Sequence, residues 1–177
     1  YYNDTAKNED ALVVRSISKS SNPTIINGGT LKPEVLLIEK ANVEFQSDLD
    51  LTGLSSANFS LNDSTVSVAG NSILTGVTAN LVGSDFYVKG DYSAAGSKLI
   101  ADASTASFSL KEQNTQDAQW DEINLSNGST LTHANHTEAS LQLFWNIAKL
   151  TIDETSKVDL TAKGRLDASG TTERYVA

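Results

Sequence analysis

The sequence predicts an all-β chain: a β-solenoid of several short rungs, with a β-sandwich as the alternative. Three observations lead there. The composition holds 22 Ser, 17 Thr and 14 Asn but only 2 Pro among 177 residues. Ser, Thr and Asn hydrogen-bond to nearby backbone and so compete with a helix. Thr and Val suit pleated strands, and Asn, Asp, Gly and Ser suit tight turns. Apolar residues alternate with polar ones at period two, in short runs closed by turn residues. Finally, a short phrase keeps returning: a turn residue, a Ser, then an alternating strand.

In chain order, the stretch through Asp10 is polar and reads as a loose connection. Ala11 to Ile17 reads as a strand. Ser20-Ser21-Asn22-Pro23 and Asn27-Gly28-Gly29-Thr30 are loop signals. Val35 to Ile38 is a continuous apolar run that suits a strand buried on both faces. The texture changes near residues 20–33, which divides the chain into an N-terminal strand with loops (1–33) and a solenoid domain (34–177). Alternating strands then follow at Val43/Phe45, Leu49/Leu51, Phe59/Leu61, Val66/Val68, Phe86/Val88, Phe108/Leu110 and Ile123/Leu125, and later at Leu150/Ile152 and Val158/Leu160. Glu138 to Leu150 fits a strand through Leu141, Leu143, Trp145 and Ile147, which puts four large apolar residues on one face. Helical spacing through Leu141, Phe144 and Ala148 is the competing reading.

The recurring phrase occurs as Asp63-Ser64-Thr65-Val66-Ser67-Val68, Gly83-Ser84-Asp85-Phe86-Tyr87-Val88, Gly96-Ser97-Lys98-Leu99-Ile100-Ala101, Gly128-Ser129-Thr130-Leu131 and Thr155-Ser156-Lys157-Val158-Asp159-Leu160. Ala57-Asn58-Phe59-Ser60-Leu61 is echoed by Ala106-Ser107-Phe108-Ser109-Leu110. A single rung of this kind cannot bury its apolar side, so neighbours must stack. At about 20 residues per rung, the chain makes roughly seven to nine rungs. At about 4.8 Å per strand they form a rod of roughly 35–45 Å.

Charge and residue usage narrow the function classes. Thirteen Lys and Arg against 22 Asp and Glu leave a net charge of −9, which argues against nucleic acid and anionic membranes as partners. No apolar run is long enough for a transmembrane helix. The absence of Cys excludes disulfides, thiolate metal sites and cysteine catalysis. A chain that starts Tyr1-Tyr2 and holds no Met reads as a processed or excised piece. Phosphate-binding loops, dinucleotide fingerprints and the serine-hydrolase elbow are missing. Sequons at Asn3, Asn58, Asn62, Asn124, Asn127 and Asn135 permit glycosylation on a eukaryotic secretory route.

The segments Ile123 to His133 (INLSNGSTLTH) and Leu150 to Arg165 (LTIDETSKVDLTAKGR) carry a resemblance. Residues 123–165 look like a repeat phrase of large bacterial surface adhesins and autotransporter-like proteins, in which an NGxxLTH strand precedes an LTI strand and a later GR. The resemblance implies a right-handed parallel β-helix in a secreted or surface-attached chain. The shared motifs are structural, not catalytic.

Several residues are candidates for chemistry. Asp48 and Asp50 share one face of a strand, with Asp63 and Asp85 as candidates on later rungs, and hard carboxylate oxygens suit Ca²⁺, the cofactor this sequence allows. His133 and His136 with Glu138 contain ligand types for zinc, but on one strand the two imidazoles face opposite ways. Asp117, Asp121 and Glu122 flank Trp120, the composition of a glycan-active carboxylate pair. Trp120, Tyr92 and Trp145 could stack on sugar, with Asp121 beside Trp120 as a hydrogen-bonding partner. No catalytic residue is assigned. The expectation is a non-enzymatic extracellular or cell-surface module, structural or adhesive, that displays polar loops on a rigid rod. It would bind carbohydrate or protein and pack against neighbouring repeats or subunits. The alternatives are a filament subunit that assembles by strand addition and a polysaccharide-active enzyme.

Overall fold

The computed structural model describes residues 2–4, 9–19, 21–108, 111–112, 119–133, 141–142 and 146–160. Every element among them is a strand, and most of the strands stack in parallel as a β-solenoid.

The chain opens with β1 (Tyr2–Asp4), which pairs antiparallel with β2 (Glu9–Arg15). The polar start read as a loose connection is therefore partly a strand on the edge of the stack. Then β3 (Thr24–Ile26) completes the first turn. The second turn carries β4 (Val35–Glu39), β5 (Asn42–Phe45) and β6 (Leu49–Asp50). The third carries β7 (Phe59–Asn62), β8 (Thr65–Val68) and β9 (Ser72–Ile73). The fourth carries β10 (Thr78–Val82), β11 (Asp85–Val88) and β12 (Tyr92–Ser93). Wider turns follow. The first of them holds β13 (Ser97–Asp102), β14 (Thr105–Phe108) and β15 (Lys111–Glu112). The next has β16 (Gln119–Ser126), β17 (Thr130–His133) and β18 (Leu141–Gln142). Last come β19 (Asn146–Ile147), β20 (Leu150–Ile152) and β21 (Lys157–Asp159).

These strands make three long faces. The first runs β2-β4-β7-β10-β13-β16 and ends on β19 and β20, with β1 at its outer edge. The second runs β3-β5-β8-β11-β14-β17-β21, and the third β6-β9-β12. β15 and β18 pair antiparallel to one side. Both β2 and β3, from the stretch read as N-terminal strand and loops, pair in parallel with β4 and β5.

Alternation along each strand builds the core. On the first face Leu36, Phe59, Ala79, Leu99 and Ile123 point inward, one above another, and are buried. On the second face Val43, Val66, Phe86, Ala106 and Leu131 do the same. Each such Val, Leu or Phe contributes roughly 1.5–3 kcal/mol by leaving water. Phe59, Phe86 and Phe108 join edge to face, with centroids 5.7 and 6.1 Å apart. Val35 and Leu37 are half-buried on the outside while Leu36 and Ile38 are buried. β4 is thus covered fully on one face only, because among the described residues no helix or sheet packs over the first face.

The recurring Ser phrase marks the corner between the first and second faces. Lys40, Asp63, Gly83 and Ala103 stand there with φ of 51°, 47°, 58° and 49°. One left-handed residue per turn bends the chain from one face to the next. The following residue enters a ladder. Ala41 N donates to Ser64 Oγ, Ser64 N to Ser84 Oγ, Ser84 N to Ser104 Oγ, Ser104 N to Ser129 Oγ and Ser129 N to Ser156 Oγ. The hydroxyls of Ser64, Ser84 and Ser104 donate back to the carbonyls of Asn62, Val82 and Asp102. Buried backbone polar groups are thereby paired where the strand ladder is interrupted. Consecutive members lie 20, 20, 25 and 27 residues apart from Ser64 onward. The 20-residue rung therefore holds only in the middle of the stack, and the later turns are longer.

Two details of the repeat reading change. Ser97 belongs to a different corner, where its hydroxyl accepts from Val77 N and donates to the Leu74 carbonyl. The true corner member is Ser104, preceded by Ala103 in place of Gly or Asp. The 57–61 and 106–110 echo does not mark equivalent places, since Phe59 lies on the first face and Phe108 on the second.

Candidate binding face

The residues singled out for sugar stacking are core residues. Trp120 and Tyr92 are each 2% exposed and pack on Phe108, with ring centroids 5.1 and 5.0 Å away. Neither ring offers a face to a ligand. The register explains Trp120. Ser97 pairs with Trp120 but Lys98 pairs with Glu122, so Asp121 is the extra residue of a bulge. The bulge turns both Trp120 and Ile123 inward and leaves Asp121 exposed outside. Trp145 lies outside the described residues.

Of the three candidate carboxylates, Glu122 is held by two lysines. Glu122 Oε1 lies 2.6 Å from Lys149 Nζ and accepts from Asn124 Nδ2 at 3.3 Å, while Oε2 lies 3.4 Å from Lys98 Nζ. Lys149 first, then Asn124 and Lys98, hold its carboxyl down to about 2. Such a group is ionised near neutral pH and has no proton to donate. Asp117 lies outside the described residues.

Asp48 and Asp50 are engaged by the protein itself. Asp48 Oδ1 accepts from Asn71 N at 2.7 Å, and Asn71 Oδ1 accepts from Asp91 N at 3.0 Å, so the two side chains tie successive turns together. Asp50 Oδ1 accepts from Thr52 N and Oγ1, and Lys32 Nζ sits 3.0 Å from Oδ2, where a cation would bind. Burial alone would raise the Asp50 pKa, but the Thr52 hydrogen bonds and Lys32 outweigh it and the net shift is downward. Among the described residues no group of three or more His, Cys, Asp or Glu is placed to hold a metal ion. His133 is buried in register with Phe108, and His136 and Glu138 lie outside the described residues.

What the fold does assemble is an outward face on the second sheet. One column holds Asn42, Thr65, Asp85, Thr105, Thr130 and Lys157, in register. The next holds Glu44, Ser67, Tyr87, Ser107, Thr132 and Asp159. Neighbours within a column stand about 4.8 Å apart, and the two columns about 7 Å apart. Thr65 Oγ1 donates to Asp85 Oδ2 at 3.3 Å. Tyr87 is half-buried, and burial followed by the nearby Asp85 charge raises its phenol pKa. Toward the later turns the face becomes covered, with Ser107 7% and Thr132 8% exposed despite their outward phase. The sequence reading passed over Tyr87 and weighed Asp85 only as a later-rung oxygen for Ca²⁺. Their signal was the alternation itself: Phe86 and Val88 point inward, so the residues at 85 and 87 must point out. The sequons at Asn62 and Asn127 have their Ser hydroxyls, Ser64 and Ser129, buried in the corner ladder.

No family model, curated protein or solved structure matches the chain. Among the described residues no helix is long and apolar enough to cross a membrane.

Proposed function

We propose that the chain is a non-enzymatic structural or adhesive module of a cell surface or extracellular space. It presents polar groups on a rigid β-rod to carbohydrate or protein. The observation that supports this is the outward face of the second sheet. The same stacking that buries Val43, Val66, Phe86 and Leu131 holds Thr, Ser, Asp and Tyr side chains in fixed files outside. Preorganised polar groups need little further ordering when a partner binds. The test is retention of chain-coated beads on immobilised neutral glycans and matrix proteins, run beside a turnover assay on the same glycans. Retention without turnover is expected. Turnover that disappears in Asp121→Asn would establish an enzyme instead.

A second reading, a filament subunit, draws on the last turn. Leu150 and Ile152 occupy inward positions above Ile123 and Leu125, yet they are 43% and 40% exposed. With no further described strand above it, this edge over apolar side chains is a template for strand addition. Light scattering that rises with protein concentration, and is abolished by Ile152→Lys, would favour it.

A further inference from the structure

We infer that Tyr87 and Asp85 form a binding site for a neutral oligosaccharide on the outward face of the second sheet. The inference rests on the display reading and names its ligand class and residues. Carbohydrate recognition needs an aromatic ring for the apolar C–H face of a sugar, and hydrogen-bonding groups beside it for the hydroxyls. Tyr87 supplies the ring. Its neighbours in the column are Ser67 and Ser107, so no bulky side chain stands beside it in register. It is also placed where the face passes from open to covered, since Ser107 and Thr132 beyond it are buried.

Asp85, two residues away on β11, supplies the acceptor. Thr65 engages one carboxylate oxygen, which fixes the group and leaves the other for a sugar hydroxyl. Thr105, in register on the far side of Asp85, adds a hydroxyl that can donate or accept. Asp85 itself and the net charge of −9 disfavour acidic sugars, which is why the ligand is neutral.

The test is calorimetric titration of the full chain with cellotetraose, chitotetraose and maltotetraose. At least one should bind. Tyr87→Ala should weaken it by roughly tenfold or more, Tyr87→Phe should stay within about threefold, and Asp85→Asn should weaken it measurably. Far-UV dichroism and melting check that each variant is folded; Asp85→Asn, close to isosteric, probes the same site if Tyr87→Ala is not. Binding that survives both Tyr87→Ala and Asp85→Asn overturns the site and leaves the display reading standing. Failure of all three sugars to bind, with bead retention on matrix protein intact, overturns this inference alone. Loss of retention on every surface overturns both.

Discussion

Two serines show how differently a buried hydroxyl can act. Ser84 Oγ accepts from Ser64 N at 3.0 Å and donates to the Val82 carbonyl at 2.9 Å. Ser72 Oγ is buried on the third face, between Leu49 and Tyr92 in register, with no hydrogen-bond partner. Ser84→Ala leaves the Ser64 amide without an acceptor and should cost about 1–3 kcal/mol. Ser72→Ala removes an unsatisfied group at the same size of substitution, so its stability should equal or exceed the parent's. Urea melts of the two variants check this. Equal losses in both would mean that the ladder carries no stability. The ladder was half legible. Gly-Ser and Asp-Ser dipeptides announced it, but Ala103-Ser104 did not, because Ala seldom takes positive φ. Ser97 looked like a member because its local phrase is the same, and only the register tells the corners apart.

At the scale of the strand, alternation was enough to name most inward residues. Val43, Phe45, Phe59, Leu61, Val66, Val68, Phe86, Val88, Ile123 and Leu125 are buried as their phase requires. The same logic fails to predict exposure in the last turn, since Val158, Leu150 and Ile152 have the inward phase but no further described strand above them. Phase is local, whereas burial needs a neighbour on both sides. Phe86→Ala, which removes a ring held between Phe59 and Phe108, should cost about 3–5 kcal/mol. Val158→Ala should cost less than about 1 kcal/mol, because the site is already half open. Thermal unfolding of both variants reads the contrast, and a large loss at Val158 would mean that the last turn is covered. Trp120 and Tyr92 were misread for a related reason. A bulge at Asp121 reset the phase of the first, and the second sits on a two-residue strand too short to show alternation.

For the whole molecule, acid is the informative variable. Glu122 is held down to about 2 by Lys149, Asn124 and Lys98. Asp153 is pushed well below the usual carboxylate range by Ser156, the Asn127 amide and Thr155. Both folded values lie below the unfolded ones of roughly 4. Depressed carboxylates stabilise the fold fully above the unfolded value, and that stabilisation is lost as pH falls through the folded value. The melting temperature should therefore hold from pH 7 to about 5 and fall between about 4.5 and 2. Glu122→Gln should flatten part of that fall. A melting temperature unchanged down to pH 2 would show that these contacts do not form in solution.

The corner ladder also has a direction in time. Every amide-to-hydroxyl donation in it runs from an earlier turn to a serine about 20 or more residues later, from Ala41 to Ser64 and onward to Ser156. As the chain emerges from its N-terminus during synthesis, the amides of Ala41, Ser64, Ser84 and Ser104 wait for their hydroxyl acceptors until the following turn has been made. Asp153 ends the wait. Its carboxylate accepts Ser156 N at 2.8 Å from within the same turn, so the last described corner is completed without a successor. Vectorial synthesis thus lays down the early corners before their hydrogen-bond acceptors exist, whereas the carboxylate-closed corner is self-sufficient on arrival.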